Sequence, residues 1–329
     1  MKILIAGLQS RYEQYLPDLP ITKQTEMVFC KRSLNDEVFA AAAPEAEVVC
    51  VDSMRTTTAA LMEAMPNLKL IQCEGVGFDR VDLEYARQRG IYVCNNPGSN
   101  AAAVAEQTIL LILALTRDLI PGQESMYAGT SNRVLGRVVT SPLRELGDCR
   151  VGLVGFGHIA KAVARLLRAF GAEVCYNAPH RRTPEEEAEW GVTYLPLEEL
   201  AATCDIVSLH CPANASTHHL VDDAFLARMK PTALLINTAR GDVVDSVALR
   251  RALEEGRIAG AGLDTLDQEP APLDHPLIDL PPQLRERVVL SPHIGGLTTA
   301  FYRRGHLHMW QNIQCIADGQ RPDSVVNGL

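Results

Sequence analysis

Short apolar runs recur along the first third of the chain, and segments with helical periodicity separate them. Each run has the length of a buried strand, whereas the segment Asp79–Arg89 has the spacing of an amphipathic helix. Strands that alternate with helices are typical of an α/β unit with a parallel sheet. The predicted strands of this unit are Ile3–Ala6, Glu47–Val51, Leu68–Cys73 and Ile91–Cys94.

The same alternation resumes at Val151 and predicts a second doubly wound sheet. Between the two sets of strands, the apolar segment 101–115 follows the turn Asn96–Asn100 and predicts a long buried helix. We interpret the turn as a hinge. The further strands are predicted at Val174–Tyr176, Asp205–His210, Ala233–Asn237, Ile258–Leu263 and Val288–Ser291.

A helical pattern follows Gly295 and Gly296 and ends at Gly319. The segment is too short for a domain of its own, so we expect it to return and pack on the first unit. The sequence therefore predicts a discontinuous first domain, 1–100 plus 297–329, into which a second domain, 101–296, is inserted.

A glycine-rich turn stands at the start of the second set of strands, in the segment Val151–Ala160. An apolar strand leads into Gly155-x-Gly157, and the apolar stripe of a helix follows. Glycines at this junction allow a tight turn and a close approach to a pyrophosphate, whose charge the N–H groups at the start of the helix stabilise. The inserted domain is therefore predicted to bind a dinucleotide.

Composition excludes several classes of function. The formal net charge is −9 and no basic stripe is present, so nucleic acid is not an expected partner. Glu106 and Gln107 interrupt the longest apolar segment, so no membrane span is predicted, and the start of the chain has the pattern of a strand and not of a signal peptide. Nine scattered cysteines without a CxxC pair indicate neither a disulfide framework nor a zinc site, and no metal is expected. A cytoplasmic location fits these features.

Three segments after the glycine turn place reactive side chains where strands end, the edge at which open α/β sheets bind ligands. They are Asn237–Gly241, Gly262–Pro270 and Ser291–Gly296. Reduction of a 2-oxo acid needs a cation that holds the carboxylate and a group that donates a proton. Arg240 suits the first task and His293 the second, while Glu269 would orient and tune His293. Asp264 is expected on the nicotinamide side.

Gly155-x-Gly157, the Thr238–Gly241 segment, the Asp264 to Pro270 stretch and Ser291–Gly296 stand in the order and spacing of one family. The chain resembles the D-isomer-specific 2-hydroxyacid dehydrogenases, close to glyoxylate and hydroxypyruvate reductases, nearly from end to end. The resemblance implies a Rossmann domain inserted into a flavodoxin-like substrate domain, an Arg240, Glu269 and His293 catalytic set, a homodimer, and a Gly75-Val76-Gly77 loop that binds the substrate carboxylate. It also implies cofactor contacts at Thr108, Gly155, Gly157, His158, Ile159, Cys211, Pro212, Thr217, Thr238, Ala239, Asp264, His293 and Gly295.

Two departures from the family pattern concern the cofactor. Ala160 replaces the usual third glycine and still permits close packing of helix and strand. Ala178 stands where relatives that use NAD carry a carboxylate for the adenosine ribose, and His180, Arg181 and Arg182 follow it. Without the carboxylate, a 2′-phosphate is not repelled, so we expect NADP(H) to be favoured while NAD(H) stays possible. In the alternative interpretation, these cations belong to a solvated loop.

Other departures concern the substrate. Glu74 directly precedes the Gly75–Gly77 loop, where it is either a specificity residue or turned to solvent. Ser53 and Met54 follow the second predicted strand and are assigned to the substrate site. Arg55 would either meet a distal anionic group or lie on the surface. Tyr302 or Arg303 is a further candidate for the border of the pocket.

The sequence thus predicts an NAD(P)H-dependent oxidoreductase that interconverts a small 2-oxo acid, such as glyoxylate or hydroxypyruvate, and a D-2-hydroxy acid. One alternative is a short-type 3-phosphoglycerate dehydrogenase, whose core would look the same. Another is a nucleotide-sensing, corepressor-like binding module without catalytic activity. Turnover of 2-oxo acids separates the enzymes from the binding module.

Overall fold

The computed structural model describes all residues, Met1–Leu329, and divides into two compact units. The first consists of Met1–Asn100 and Leu297–Leu329, and the second of Ala101–Gly296. No helix combines the length and the apolar character that a membrane crossing would need.

The first unit contains a parallel sheet of five strands in the order β2-β1-β3-β4-β5. Apart from Lys2 and Gln72, its core strands β1, β3 and β4 consist of apolar residues that are buried on both faces, as in other parallel sheets covered by helices. The strands are β1 Lys2–Ala6, β2 Glu26–Cys30, β3 Val48–Val51, β4 Leu70–Cys73 and β5 Tyr92–Cys94. The helices are α1 Gln9–Gln14, α2 Pro20–Lys23, α3 Asp36–Ala41, α4 Ala59–Glu63, α5 Leu83–Gln88 and, from the end of the chain, α15 Thr299–Ala317.

Two apolar clusters cover the two faces of this sheet. One contains the buried side of α3 and α4, and the other contains α15, whose Met309, Trp310 and Ile313 pack against Ile3 and Ile5. The side chain of Thr298 caps α15 by accepting a hydrogen bond from the Phe301 N–H at 3.2 Å. The last helix is therefore part of the core of the first unit.

The second unit contains a parallel sheet of seven strands in the order β12-β11-β10-β9-β6-β7-β8. The strands are β6 Arg150–Val154, β7 Glu173–Asn177, β8 Thr193–Tyr194, β9 Ile206–Leu209, β10 Leu234–Asn237, β11 Gly260–Leu263 and β12 Val288–Leu290. The helices are α6 Ala101–Thr116, α7 Leu119–Tyr127, α8 Ser131–Thr140, α9 His158–Ala169, α10 Pro184–Trp190, α11 Leu197–Thr203, α12 Asp223–Arg228, α13 Ser246–Glu254 and α14 Pro282–Arg285.

The strand order of the second sheet reverses direction at β6, because β7 lies on one side of it and β9 on the other. Loops after β6 and β9 therefore diverge, and such a switch point is where open α/β sheets bind their ligands. Helices α6 and α9 cover one face of the sheet and α11 to α13 the other. The predicted α/β class and the two parallel sheets are confirmed.

The structure contains several elements that are not among those predicted from the sequence. Strands β2 and β8 lie at sheet edges, and the residues of both are half-buried or exposed. Strand β2 contains an apolar run at 27–30, whereas β8 has only two residues. Helices α7 and α8 follow the long helix α6, and α8 has no buried residue. The predicted helix Asp79–Arg89 is shorter, Leu83–Gln88, because Asp82 caps it by accepting from the Tyr85 N–H.

Candidate active site

Glu269 and His293 form a hydrogen-bonded pair at the carboxyl edge of the second sheet. His293 Nδ1 lies 2.7 Å from Glu269 Oε2, and the Leu266 N–H donates to Glu269 Oε1 at 3.1 Å. Burial alone would raise the pKa of the Glu269 carboxyl, but His293 and the Leu266 N–H hold this pKa below its ordinary value. Glu269 is therefore a carboxylate at neutral pH. Because Nδ1 of His293 faces this carboxylate, Nε2 is the ring nitrogen available for proton transfer.

The backbone that carries His293 is held by Asp264, which lies at the end of β11. His293 has a φ of 54°, a left-handed conformation that is uncommon outside glycine. The Asp264 carboxylate accepts from Ser291 Oγ at 2.5 Å, from the Ile294 N–H at 3.1 Å and from the Gly295 N–H at 2.9 Å. These three bonds fix the loop on both sides of His293 and explain how its strained backbone persists.

Both carboxylate oxygens of Asp264 already accept hydrogen bonds within the unit. The expected contact of Asp264 with the cofactor remains a prediction. Its structural role was not visible in the sequence, since Asp264 and Ser291 follow two different strands, β11 and β12. Gln107 adds to this network by donating from Nε2 to Ser291 Oγ at 2.8 Å. The contact between Asp264 and Ser291 could have been expected from the sequence, because the carboxyl ends of neighbouring parallel strands lie close together.

Arg240 lies in the loop after β10, next to the segment that carries Glu269. The side chain of Asn237 closes this loop, because its Oδ1 accepts from the Ala239 N–H and its Nδ2 donates to the Arg240 carbonyl. A Cβ atom built on Gly241 would lie 1.8 Å from the carbonyl carbon of Leu266. The Arg240 and Glu269 segments are therefore in backbone contact, and the positive charge of Arg240 contributes to the lowered pKa of Glu269.

A second pair of a histidine and a carboxylate, His275 and Asp267, stabilises the segment that carries Glu269. His275 Nε2 lies 2.8 Å from Asp267 Oδ1, which also accepts from Ser246 Oγ at 2.6 Å. The Leu277 N–H donates to His275 Nδ1, so Nε2 is the nitrogen that carries the proton. Because its ring is fully buried, His275 holds the loop in place and does not reach a substrate. This pair is not predicted from the sequence.

The glycine turn after β6 fits a dinucleotide. Gly155 has a φ of 94°, and a Cβ there would lie 2.7 Å from the His210 carbonyl oxygen, so only glycine is compatible with this turn. Gly157 faces open space and precedes α9 without any side-chain cap. The N–H groups of His158 and Ile159 have no partner in the first turn of α9, which is the arrangement that binds a pyrophosphate.

The segment after β7 carries the cations predicted to recognise the adenosine ribose. Arg182 donates from Nη2 to the Phe156 carbonyl at 3.0 Å, which places its guanidinium beside the glycine turn. Arg181 instead forms two hydrogen bonds with Glu187, at 2.8 and 3.0 Å. Ala178 is buried and His180 is exposed. Of the three predicted cations, Arg182 is thus the one that the structure brings to the turn.

Other predicted cofactor residues line the same sheet edge. Thr108 on α6 and Thr238 after β10 are both buried, with their hydroxyl oxygens 3.0 Å apart. Pro212 and Thr217 close one loop after β9, where Thr217 Oγ1 donates to the Pro212 carbonyl at 2.6 Å. Cys211 is the residue between that loop and His210. Burial lowers the pKa of His210 to about 3, so its ring is neutral, and Nε2 of this ring lies 2.9 Å from Ser208 Oγ.

In the first unit, Glu74 is buried beside the Gly75–Gly77 loop and not turned to solvent. Its Oε2 accepts from Arg11 Nη2 at 2.6 Å, and its Oε1 lies 2.9 Å from Nε2 of the fully buried His306. The interpretation of Glu74 as a solvated residue is therefore wrong. Its carboxylate joins α1, β4 and α15, three elements that are far apart in the sequence.

The alternatives for Arg55 are also wrong, because this side chain is neither on the surface nor available to an anionic ligand. It is 3% exposed, donates to the carbonyls of Arg32 and Leu34, pairs with Asp36 at 2.7 Å and stacks on Phe39 at 3.9 Å. Ser53 and Met54 lie half-exposed in the turn after β3. Tyr302 is half-exposed and stacks on Tyr15, whereas Arg303 is exposed.

Residues 109–295 match the family model of the D-isomer specific 2-hydroxyacid dehydrogenase NAD binding domain. A glyoxylate reductase of Thermofilum pendens is 40% identical over 82% of this chain and 78% of its own length. The structure of a D-lactate dehydrogenase from Aquifex aeolicus, complexed with NAD and lactic acid, superposes with a TM-score of 0.82 at 29% identity, covering 97% of this chain and 96% of that one.

An NADPH-dependent glyoxylate/hydroxypyruvate reductase from Sinorhizobium meliloti, in complex with NADP and malonate, superposes with a TM-score of 0.81 at 29% identity, covering 99% of this chain and 96% of that one. The family model spans more than half of the chain, and the identity to the glyoxylate reductase extends over most of both proteins. The chain therefore belongs to the D-isomer-specific 2-hydroxyacid dehydrogenase family.

Proposed function

We propose that this protein catalyses the reversible reduction of a small 2-oxo acid to a D-2-hydroxy acid with a nicotinamide dinucleotide. The observation that carries the proposal is the 2.7 Å contact between His293 and Glu269, which occupies the same sheet edge as the glycine turn. An oriented histidine is the group that such a reaction needs, because a proton must reach the oxygen that becomes the hydroxyl. Glyoxylate and hydroxypyruvate are the first candidate substrates, since the names of relatives include both.

The catalytic assignment follows from the hydrogen bonds of each side chain. When bound, the dinucleotide supplies or accepts the hydride. His293 holds the transferred proton at Nε2, because Nδ1 faces Glu269, and the Glu269 carboxylate stabilises the ring when it is charged. Arg240 binds the substrate carboxylate and polarises the carbonyl, tasks that suit a planar guanidinium. In the reverse direction, His293 takes the hydroxyl proton.

We assign the dinucleotide to the second unit and, besides the role of Arg240, a backbone site for the substrate carboxylate to the first. The unpaired N–H groups at the start of α9 would hold the pyrophosphate, while Thr108 and Thr238 are candidates for the nicotinamide half. Gly75, Val76 and Gly77 would hold the substrate carboxylate, with Ser53 and Met54 as candidates for selecting its side chain. Glu74, whose carboxylate is engaged by Arg11 and His306, would act on the substrate site through these partners. All nine cysteines are free thiols, which supports a reducing, cytoplasmic setting.

A panel of 2-oxo acids, assayed with NADPH and with NADH, tests the proposed function. It includes glyoxylate, hydroxypyruvate, pyruvate and 3-phosphohydroxypyruvate. We expect turnover of at least one small unphosphorylated acid. Turnover of 3-phosphohydroxypyruvate alone would favour the phosphoglycerate dehydrogenase alternative, and no cofactor oxidation with any acid would favour a non-enzymatic binding module.

The cofactor preference is part of this proposal, and it favours NADP(H). Arg182 lies beside the glycine turn, and Ala178 leaves no carboxylate that would repel a 2′-phosphate. We expect Arg182→Ala to raise KM for NADPH about tenfold and to change KM for NADH much less, because only NADPH carries the extra phosphate. Ala178→Asp should lower kcat/KM for NADPH in the same way, by charge repulsion.

Steady-state kinetics with both reduced cofactors provide the measurement. Arg165→Ala is the matched control, since Arg165 is an exposed cation on α9 whose side chain forms no hydrogen bond or ion pair within the protein. A wild-type kcat/KM for NADH more than tenfold above that for NADPH would show that the preference is wrong.

We also propose that the protein is a homodimer whose interface includes the outer surface of α7 and α8. Large apolar side chains are exposed there, among them Tyr127, Val139, Met126 and Leu135. Apolar patches of this kind mark interaction surfaces. We expect analytical ultracentrifugation to give a dimeric mass for the wild type. The double variant Met126→Glu/Leu135→Glu should shift towards monomer. The control Leu273→Glu, at an exposed position outside α7 and α8, should stay dimeric. A monomeric wild type would refute the proposal.

A further inference from the structure

Three consecutive carbonyl groups at the end of β4 are all turned towards the segment Asn95-Asn96. The Glu74 carbonyl accepts from Asn96 Nδ2 at 2.7 Å, and the Gly75 carbonyl accepts from the Asn96 N–H at 2.9 Å. The Val76 carbonyl accepts from Asn95 Nδ2 at 2.7 Å. In an extended strand, successive carbonyls alternate in direction, so this arrangement is a specific local conformation.

The direction of the carbonyls determines the direction of the N–H groups. The peptide bonds of this loop are trans, so each N–H points opposite to the carbonyl of the same peptide unit. The N–H groups of Gly75, Val76 and Gly77 therefore all point away from Asn95 and Asn96. None of the three donates a hydrogen bond within the protein, and these three residues are half-exposed. Successive N–H groups on one side of a loop form a concave site for an anion.

The amide of Asn96 is itself held in one orientation. Its Nδ2 also donates to the Gly305 carbonyl at 3.2 Å, and its Oδ1 lies 2.7 Å from His308 Nδ1. Both partners belong to α15, so the last helix of the chain fixes the side chain that fixes the loop. Asn95 and Asn96 are 6% and 1% exposed, which excludes them from direct contact with a ligand in solution.

We propose that Asn95 and Asn96 are positioning residues for substrate binding, which act by turning the N–H groups of Gly75, Val76 and Gly77 towards a carboxylate. This inference rests on the proposed function, in which that loop holds the carboxylate of the 2-oxo acid. Neither asparagine touches the substrate. Their loss frees the peptide units to rotate, so the oriented N–H groups are lost while the proton-transfer groups on the second unit are unchanged.

Asn95→Ala tests the inference with the full-length protein. We expect KM for the 2-oxo acid to rise about tenfold, with kcat within about threefold and KM for NADPH unchanged, because the lost interaction belongs to carboxylate binding. The dissociation constant of oxalate, a non-reacting dicarboxylate, should rise by a similar factor in calorimetric titration of the NADPH-saturated protein. Asn95→Asp keeps the shape of the side chain without its donor and should behave in the same direction.

Asn327→Ala is the matched control. Asn327 has the same exposure as Asn95, lies in the same unit and also holds backbone, but its partners are Ile91 and Val93 and not the loop. We expect this variant to lose thermal stability and to keep KM and the oxalate affinity within twofold. A purely structural role of Asn95 would produce this same result in Asn95→Ala and would overturn the inference.

The two proposals fail in different ways. If the wild type reduces 2-oxo acids and Asn95→Ala keeps its KM and its oxalate affinity, the positioning role is wrong and the proposed function stands. If the wild type binds oxalate in a manner that depends on Asn95 but reduces no 2-oxo acid, the proposed function is wrong and the role of the loop stands. Absence of both turnover and oxalate binding would overturn both.

Discussion

Replacing His293 with alanine should lower kcat by roughly 10²- to 10⁴-fold while the affinity for NADPH stays unchanged. The ring is the group paired with Glu269, and Nε2 is its free nitrogen, so alanine removes the proton donor without altering the glycine turn. The positions of Asp264 and Gly295 depend on backbone N–H groups, which the substitution retains. Steady-state kinetics together with NADPH titration by fluorescence would measure the two effects separately.

His218→Ala is the control for this experiment. His218 is exposed, lies in the loop after β9 and stacks on His219, so we expect its loss to leave kcat near the wild-type value. Turnover of His293→Ala close to that of the wild type would refute the assignment of the proton donor. A parallel loss of NADPH affinity would instead indicate that the substitution disturbs the whole sheet edge.

The second large effect is expected from Gly241→Ala, a change of a single methyl group. The added Cβ would lie 1.8 Å from the carbonyl carbon of Leu266 and 2.0 Å from its oxygen. Backbone atoms cannot rotate away as a side chain does, so the Arg240 segment and the Leu266 segment must separate. Because the Leu266 N–H holds Glu269, both sides of the catalytic set move, and a displacement of this size can reduce turnover by about 10²-fold or more.

Activity and thermal unfolding of Gly241→Ala should be compared with those of Gly122→Ala. Gly122 lies within α7 with open space around its Cα, so alanine there should keep activity and slightly stabilise the helix. Wild-type turnover in Gly241→Ala would mean that the backbone contact between the two segments is not needed for catalysis.

The sequence allowed the fold to be predicted where strands are fully buried. All residues of the central strands β3 and β10 are buried, and all but the terminal Asn237 are apolar, so their pattern is clear. The edge strand β2 contains the apolar run 27–30 but is not among the strands predicted from the sequence. Strand β8 has only two residues, which are too few for a recognisable pattern. The predicted bounds differ from those observed in both directions: Leu68–Cys73 is longer than the observed Leu70–Cys73, and Val174–Tyr176 is shorter than the observed Glu173–Asn177.

The candidate site was proposed from the sequence because reactive residues follow predicted strands: Arg240 comes after the buried β10, and His293 comes after the edge strand β12. What could not be predicted depends on pairs that are distant in sequence. Glu74 meets His306, and Asp264 meets Ser291, only after the sheets have formed. Arg55 was considered a ligand candidate for the same reason: its hydrogen-bond partners, the carbonyls of Arg32 and Leu34, lie in the loop after β2 and are not adjacent to it in the sequence. The roles of the site residues remain predictions to be tested by the variants above.

The packing of α15 on the first sheet has a consequence for how the protein emerges from the ribosome. Residues Ala101–Gly296 are a continuous segment and can fold as soon as they are synthesised, whereas the first unit needs residues from both ends of the chain. Until Met309, Trp310 and Ile313 arrive, the apolar face formed by Ile3 and Ile5 lacks the part of its cover that α15 supplies. During translation, the nascent chain therefore carries an exposed apolar surface at its beginning, and a truncation before α15 would leave that surface permanently open to aggregation.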